Sequence, residues 1–484
     1  MRPPLLAGRG TRRGFRIQLS VVEFPSLCGT VTLAVRVCCA ASSVIPVRWR
    51  QPVARLESCP LSLFRRTSPL LFTLFLDLAG FSLVFPLYAR LMDHYGAQHS
   101  GLLRLLQDGT EQLFGVSDPT RNAAFFGGLL AAAFSLLQFA LTPFWGRMSD
   151  TRGRRRVLLI TVSMSLGGYL LWVFAGRFEL FVLSRLLCGS AAANISVASA
   201  AIADLTSREE RTRGMGLMGA SVGLGFLVGP ALGGISTLLP MPALGAGWFA
   251  LNEFSTAAAL AALLSALNLY QLSRGFKESL GAHVQREALV RSANPVALFS
   301  RKLGQGVARI NVLWLIFMSA FAAFESTLVF LLKDALHWDA IQTALAMVWL
   351  GITSVMMQGG IVRRLVPRLG EKRVALAGFA LIVPGNILVA VVSEAASPVL
   401  LITGITLIAL GVGCISPTLS ALVSLRAPEH AQGLALGAFR SVGALGRAVG
   451  PFSAAWLYFA AGPGAPFALA AALLCVALVM LRRV

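Results

Sequence analysis

The sequence predicts an all-α membrane protein: twelve transmembrane helices arranged as two pseudo-symmetric halves of six. Three observations carry that prediction. The 484 residues are 56% hydrophobic and only 13% charged, a balance foreign to soluble domains. The apolar stretches reach the roughly 20 residues that one bilayer crossing requires, and there are too many of them for buried core helices. A glycine pattern late in the first half, Gly216-x8-Gly225-x3-Gly229-Pro230, returns late in the second as Gly437-x8-Gly446-x3-Gly450-Pro451. One such segment can arise by chance, but two in register indicate an internal duplication.

Taken in order, residues 1–67 come first, a leader with eleven arginines against Glu23 and Glu57. Three readings stay open for it: a transit peptide, a disordered tail, or upstream sequence ahead of the true start. A first bundle over 68–272 is expected to hold spans at 68–91, 123–145, 157–175, 178–203, 214–236 and 248–270. Segment 92–122 is the one long outer loop, with a short helix around 102–114. A basic cytoplasmic linker, 273–309, precedes a second bundle over 310–484, with spans at 310–332, 341–362, 374–393, 398–421, 434–459 and 464–481. Six spans, a linker and six more spans with echoing motifs is the parallel-repeat plan of a secondary transporter.

A net charge of +21 suggests nucleic acid in a soluble protein, but its distribution excludes that partner here. The basic residues crowd alternate loops. Arg147, Arg152 and Arg154–Arg156 follow span two, Arg274 and Lys277 open the linker, and Arg363, Arg364, Arg368, Lys372 and Arg373 follow span eight. By the positive-inside rule these loops and both termini are expected to be cytoplasmic. Cys188, Cys414 and Cys475 fall inside spans, and Cys28, Cys38, Cys39 and Cys59 precede them. Their spacing suggests neither zinc nor a disulfide framework.

The stretch from Gly216 through Gly233 and Gly234 carries no charge. In lipid its glycines let a neighbouring backbone approach closely, and Pro230 removes a donor near the far end. In the loop after span two, Gly146-Arg-Met-Ser-Asp150-Thr-Arg-Gly153-Arg154-Arg155 resembles the GxxxDxxGRR signature of the major facilitator superfamily. Gly146 and Gly153 permit a tight turn there, Arg154 and Arg155 anchor the cytoplasmic face, and Asp150 suits a neighbouring helix N-terminus. In that family the loop latches the two halves together. Its second-half counterpart is eroded to Gly360 and Gly370-Glu371-Lys372-Arg373, with no matching aspartate.

Span four carries Arg185-x3-Gly189, similar to the family's intramembrane arginine motif, and closes on Ala203-Asp204. The Gly216–Gly234 stretch resembles the signature of the antiporter (drug:proton) branch. Asp77 to Pro86 is similar to the aspartate-to-proline spacing of tetracycline-type carriers, and the run Arg440 to Leu445 matches Arg-Ser-x-Gly-Ala-Leu in tetracycline-transporter-like, multidrug-efflux-like members. Together these likenesses cover nearly everything after residue 67, and they imply the major facilitator fold. One departure matters: tetracycline carriers keep further carboxylates in spans three and nine, where this chain has none. Tetracycline itself is therefore not the expected substrate.

An ionisable side chain at membrane depth is costly and normally faces a cavity or a partner. Asp77, Arg185, Glu325, Arg440 and Arg447 meet that description, and Glu253 belongs to the membrane interface. Burial opposes the charge on Asp77 while a nearby cation supports it, the competition a proton-coupled carrier needs. Arg185 is its expected partner, and Glu325 is the alternative proton site. Arg440 and Arg447 lie two turns apart on one stripe, about a quarter turn from the Gly443, Gly446 and Gly450 stripe. They present either a substrate-facing pair of cations or a structural bridge to Glu325. Asn194, Gln138 and Gln358 are candidates to line the cavity, or to bind helix to helix.

The expected function is export of an organic solute or drug by proton antiport with alternating access, with an organic anion favoured. Uncoupled facilitated transport and a transport-dead membrane interaction protein are the alternatives. No Walker motif, metal spacing or catalytic pair argues for an enzyme, a pump or a cofactor, so the proton gradient is the expected energy source. The expected partners are the solute, protons and the bilayer, for a chain working as a monomer.

Overall fold

Apolar stretches that bond their own backbone are the only α-structure a bilayer tolerates, and the computed structural model of the protein is built from them. It describes residues 17–18, 36–37, 60–97, 101–102, 104–105, 108–109, 119–206, 211–279, 306–427 and 432–483. Within 1–62, Ile17 and Gln18 pair antiparallel with Val37 and Arg36. Residues 60–67, expected in the leader, belong to the first helix, because the chain is already helical from Pro60. The rest of the leader, most of the linker and most of the expected short helix at 102–114 lie outside the described residues.

Residues 63–484 form one unit of twelve spans. The first is Pro60–Ser82, a tight turn at Phe85–Leu87, and Tyr88–Ala97. The second, Pro119–Arg152, and the third, Arg154–Val173, meet at Gly153 alone, whose φ of 101° suits glycine and little else. The fourth is broken, Phe178–Ala191 then Asn194–Leu205. The fifth, Arg211–Ser236, continues through Pro230, and a hairpin of Leu244–Ala246 and Phe249–Leu251 leads to the sixth, Ser255–Gly275. The seventh is Val307–Leu336. The eighth is Ala340–Met356, a π-turn at Met357–Val362, and Arg363–Leu369. Glu371–Ala395, Pro398–Arg426, Gln432–Ala461 and Ala465–Arg482 complete the bundle. All but the eleventh hold an unbroken apolar window of spanning length; there the two arginines and the glycines lower the hydropathy.

The sixth span starts late, at residue 255 rather than 248. The hairpin takes up the preceding residues, and Asn252 accepts a hydrogen bond from the Phe254 amide at 2.9 Å just ahead of the helix. Glu253 therefore lies outside the helix, 40% exposed and 2.6 Å from Arg90, as its interfacial reading expects.

The duplication is visible atom by atom. Gly225 lies against the Phe75 carbonyl, the Leu78 Cβ and the Ala79 amide of span one. Gly446 lies against the Leu315 carbonyl, the Met318 Cβ and the Ser319 amide of span seven. One turn on, Gly229 meets the Ala79 carbonyl and Leu83 amide, and Gly450 meets the Ser319 carbonyl and Ala323 amide. A Cβ at Gly225 or Gly446 would come within 2.7 or 2.8 Å of these atoms, so only glycine permits the crossing. Gly233 continues the contact at Leu83, and Gly234 packs on Ala344 of span eight. Gly216 and Gly437, the first glycines of each motif, have nothing within 4 Å.

The two halves meet along two seams. Spans five and eight touch at Gly234–Ala344, Leu227–Gly351 and Gly223–Val355. Spans two and eleven touch where Gly128 lies on the Pro451 carbonyl and Ala455, with Phe125 against Phe459. At the end remote from the basic loops, Lys333 of span seven pairs with Asp93 of span one.

Candidate functional site

The break in span four organises the site. At the break the Ala191 and Ala193 carbonyls are taken by span four's own amides, and span two supplies donors for those of Ser190 and Ala192. Gln138 Nε2 donates to the Ala192 carbonyl and Trp145 Nε1 to that of Ser190, each at 2.7 Å. Satisfying freed carbonyls by side chains is what makes an interrupted helix tolerable in a membrane. Asn194, 1% exposed, opens the second segment and donates through Nδ2 to Asp77 Oδ1 at 3.0 Å. Thr161 of span three donates to the other end of the same amide, holding its orientation.

Asp77 opens onto a cavity of about 40 Å³, enough for a few waters but not for an organic solute. Phe81, Phe134, Gln138, Tyr169 and Phe226 of the first half line it. The second half contributes Arg447. An acid and a cation from opposite halves therefore face one space.

Arg185 is placed otherwise than expected. No ion pair joins it to Asp77, whose hydrogen-bond partner is Asn194. The guanidinium is 1% exposed and boxed by rings, 5.7 Å from the Phe134 and Trp172 centroids and 5.9 Å from that of Tyr169. Aromatic faces stabilise a desolvated cation, yet Nε and Nη1 have no hydrogen-bond partner. On span eleven the arginine stripe does stand beside the glycine stripe. Gly443 packs on Trp314 and Gly446 on Met318 of span seven. Arg447 is the charge that acts on Glu325, without an ion pair within 4 Å. Arg440 reaches across to span five, its Nη2 3.4 Å from the Met215 sulfur and 3.7 Å from that of Met218. Gln358 sits in the π-turn of span eight and does not line the cavity.

The signature loop closes on itself. Arg154, its side chain 9% exposed, pairs with Asp150 at 2.5 Å and with Asp204 at 3.1 Å, and donates to Ser149 Oγ at 2.6 Å. The N-terminus of span three takes Glu278 rather than Asp150. That carboxylate accepts from the backbone amides of Arg154 at 2.9 Å and Arg155 at 3.2 Å, where an anion is favoured. Arg155 in turn bonds the Ser273 carbonyl at 2.6 Å. These bonds run within the first bundle and to the start of the linker, whereas the expectation was a latch between halves. Gly146 has nothing within 4 Å.

Sequence reasoning passed over Thr161, Tyr169, Phe134 and Phe226 because they look like ordinary span residues. Glu278 was hidden in a basic linker, one of its two acids.

The fold and this site define a multi-pass membrane transporter: residues 70–451 match the Major Facilitator Superfamily model, and the chain belongs to that family. Among its relatives, human "Major facilitator superfamily domain-containing protein 10" is 31% identical over 81% of this chain and 87% of its own length. The class E tetracycline resistance protein of Escherichia coli is 29% identical over 75% of this chain and 86% of its own. A solved structure described as the human organic anion transporter MFSD10 (TETRAN) superposes with a TM-score of 0.68 at 28% identity, covering 87% of this chain and 99% of that one.

Proposed function

We propose that the chain is a proton-coupled secondary transporter of organic anions working by alternating access, with Asp77 as proton site and Arg447 as anion site. The observation that carries this reading is that Asp77 and Arg447 line one cavity from opposite halves. Asp77, Glu325, Arg185, Arg440 and Arg447 together leave an excess of positive charge inside the bundle when all are ionised, a field that favours anions although only Asp77 and Arg447 line the cavity itself. Arginine's planar fork matches a carboxylate or sulfonate better than lysine does. The similar human structure described as an organic anion transporter supports the same substrate class. The basic loops support cytoplasmic termini, an orientation in which export would run away from the Gly153 end.

The glycine motif and the tetracycline resistance relatives favour antiport. The cavity's electrostatics favour a second reading, cotransport. An anion on Arg447 must displace the attraction of ionised Asp77, and protonating Asp77 removes that competition. Reconstituted protein under an imposed pH gradient separates the two. Antiport loads an aromatic carboxylate against the proton gradient, and cotransport loads it along the gradient. Asp77→Asn is expected to abolish either response while uncoupled exchange survives. A carboxylate flux indifferent to the gradient in the unsubstituted protein would sink proton coupling and leave facilitated transport.

A further inference from the structure

A larger cavity lies elsewhere, at the seam between spans one, seven and eight near the Asp93–Lys333 pair. It measures about 270 Å³, against about 40 Å³ for the central one. Arg90 of the first half and Lys333, His337, Trp338 and Asp339 of the second line it. We infer that this cavity is a second ligand site, binding small aromatic carboxylates or sulfonates at the seam on the face opposite the basic loops.

The charges around it are already committed in a way that suits exchange. Asp339 is held as the N-cap of span eight, accepting from the Gln342 amide at 2.8 Å in a reciprocal capping box. Its charge is therefore answered by that helix and not by the cavity's cations. Arg90 pairs with Glu253, and Lys333 with Asp93, but neither acid lines the cavity. Both pairs are well exposed, with side chains 31–49% accessible, and pairs of that kind hold weakly. An incoming carboxylate can take Lys333 and Arg90 at little loss. His337 is held at the rim by a left-handed backbone, φ 55°, its amide bonded to the Leu332 and Lys333 carbonyls where span seven ends. Trp338 supplies a broad apolar wall. The volume falls just under the usual range for drug-sized ligands, so a one- or two-ring anion is the occupant that fits. This inference stands on the cavity's own lining and does not require the central site to bind anions.

The test uses the full chain with 5-fluorotryptophan incorporated, the Trp338 resonance being assigned by its loss in Trp338→Phe. Titration with naphthalene-2-sulfonate is expected to shift that resonance saturably, and naphthyltrimethylammonium to leave it in place. The double variant Arg90→Gln/Lys333→Gln is expected to weaken binding at least ~10-fold, the loss of charge-assisted bonds, while the other tryptophan resonances report an intact fold. Lys333→Arg is expected to retain the shift, and so is Arg447→Gln, which alters only the central cavity. An unmoved Trp338 resonance, an equal response to the cation, survival of binding in the double variant, or its loss in Arg447→Gln would each overturn the inference. The first three outcomes leave the transport reading at Asp77 and Arg447 untouched.

Discussion

The two helix crossings that carry the glycine motifs are alike in backbone and opposite in charge. Gly225 on span one and Gly446 on span seven touch the same atoms, which makes Leu78 equivalent to Met318 and Ala79 to Ser319. One residue back, Asp77 is therefore equivalent to Phe317, and one residue past the glycines Phe226 is equivalent to Arg447. Phe226 and Arg447 both line the central cavity, whereas Phe317 is 1% exposed and stacks on Trp314. The scaffold is symmetric and the chemistry is not. The first half brings an acid and a phenylalanine, the second a phenylalanine and a cation. Duplication supplies the geometry, and divergence at two positions supplies a site that neither half holds alone.

The strongest test of the shared scaffold is to overfill it. Gly225→Val and Gly446→Val, made separately, are each expected to destabilise by about 3 kcal/mol, since the neighbour is backbone and cannot withdraw. Thermal unfolding in detergent reads both, and clearly unequal losses would break the equivalence. The divergence is tested by making the second half resemble the first. Arg447→Phe is expected to lower the initial rate of aromatic carboxylate transport in proteoliposomes at least ~10-fold, whereas Phe226→Leu stays within ~3-fold. Equal losses would mean that the cavity's shape matters and its charge does not.

A smaller effect belongs to the signature loop, which has no charged echo in the second half. Arg154→Gln removes the guanidinium that Asp150 and Asp204 share. Because the acids remain 32% and 28% accessible, the expected loss is about 1 kcal/mol, read by chemical denaturation. The least effect is expected at the open glycines. Gly216→Ala and Gly437→Ala meet no atom within 4 Å and improve helix propensity, so stability is expected to rise by about 0.5–1 kcal/mol.

The spans, the duplication and the glycine crossings were legible in the sequence because hydropathy and spacing are one-dimensional quantities. The arginine and glycine stripes of span eleven were legible for the same reason, since helix periodicity fixes which residues share a face. Partners across helices were not. Arg185 looked like the partner of Asp77 because both are buried charges, yet three rings surround the arginine and an amide takes the acid. The break in span four left no trace, because Ser190-Ala-Ala-Ala-Asn194 contains neither glycine nor proline; the donors that permit it sit on another span. Asp150 and Glu278 exchanged the role expected at the helix N-terminus through a contact between residues 124 apart in sequence.

Span two deserves a mechanical description. It touches span eleven at Gly128 and is tied to the broken helix at Gln138, with ten residues and about 15 Å of rigid rod between the two points. A pivot of ten degrees about Gly128 carries Gln138 through roughly 2.6 Å, far beyond what a 2.7 Å hydrogen bond absorbs. The Ala192 carbonyl must then travel with the rod or be set free. If it travels, the segment that begins at Asn194 travels too, and the amide that holds Asp77 is drawn along the membrane normal or across it. Any rocking at the seam would be geared to the acid through Gln138 and the amide of Asn194, with the span-four interruption acting as the elbow.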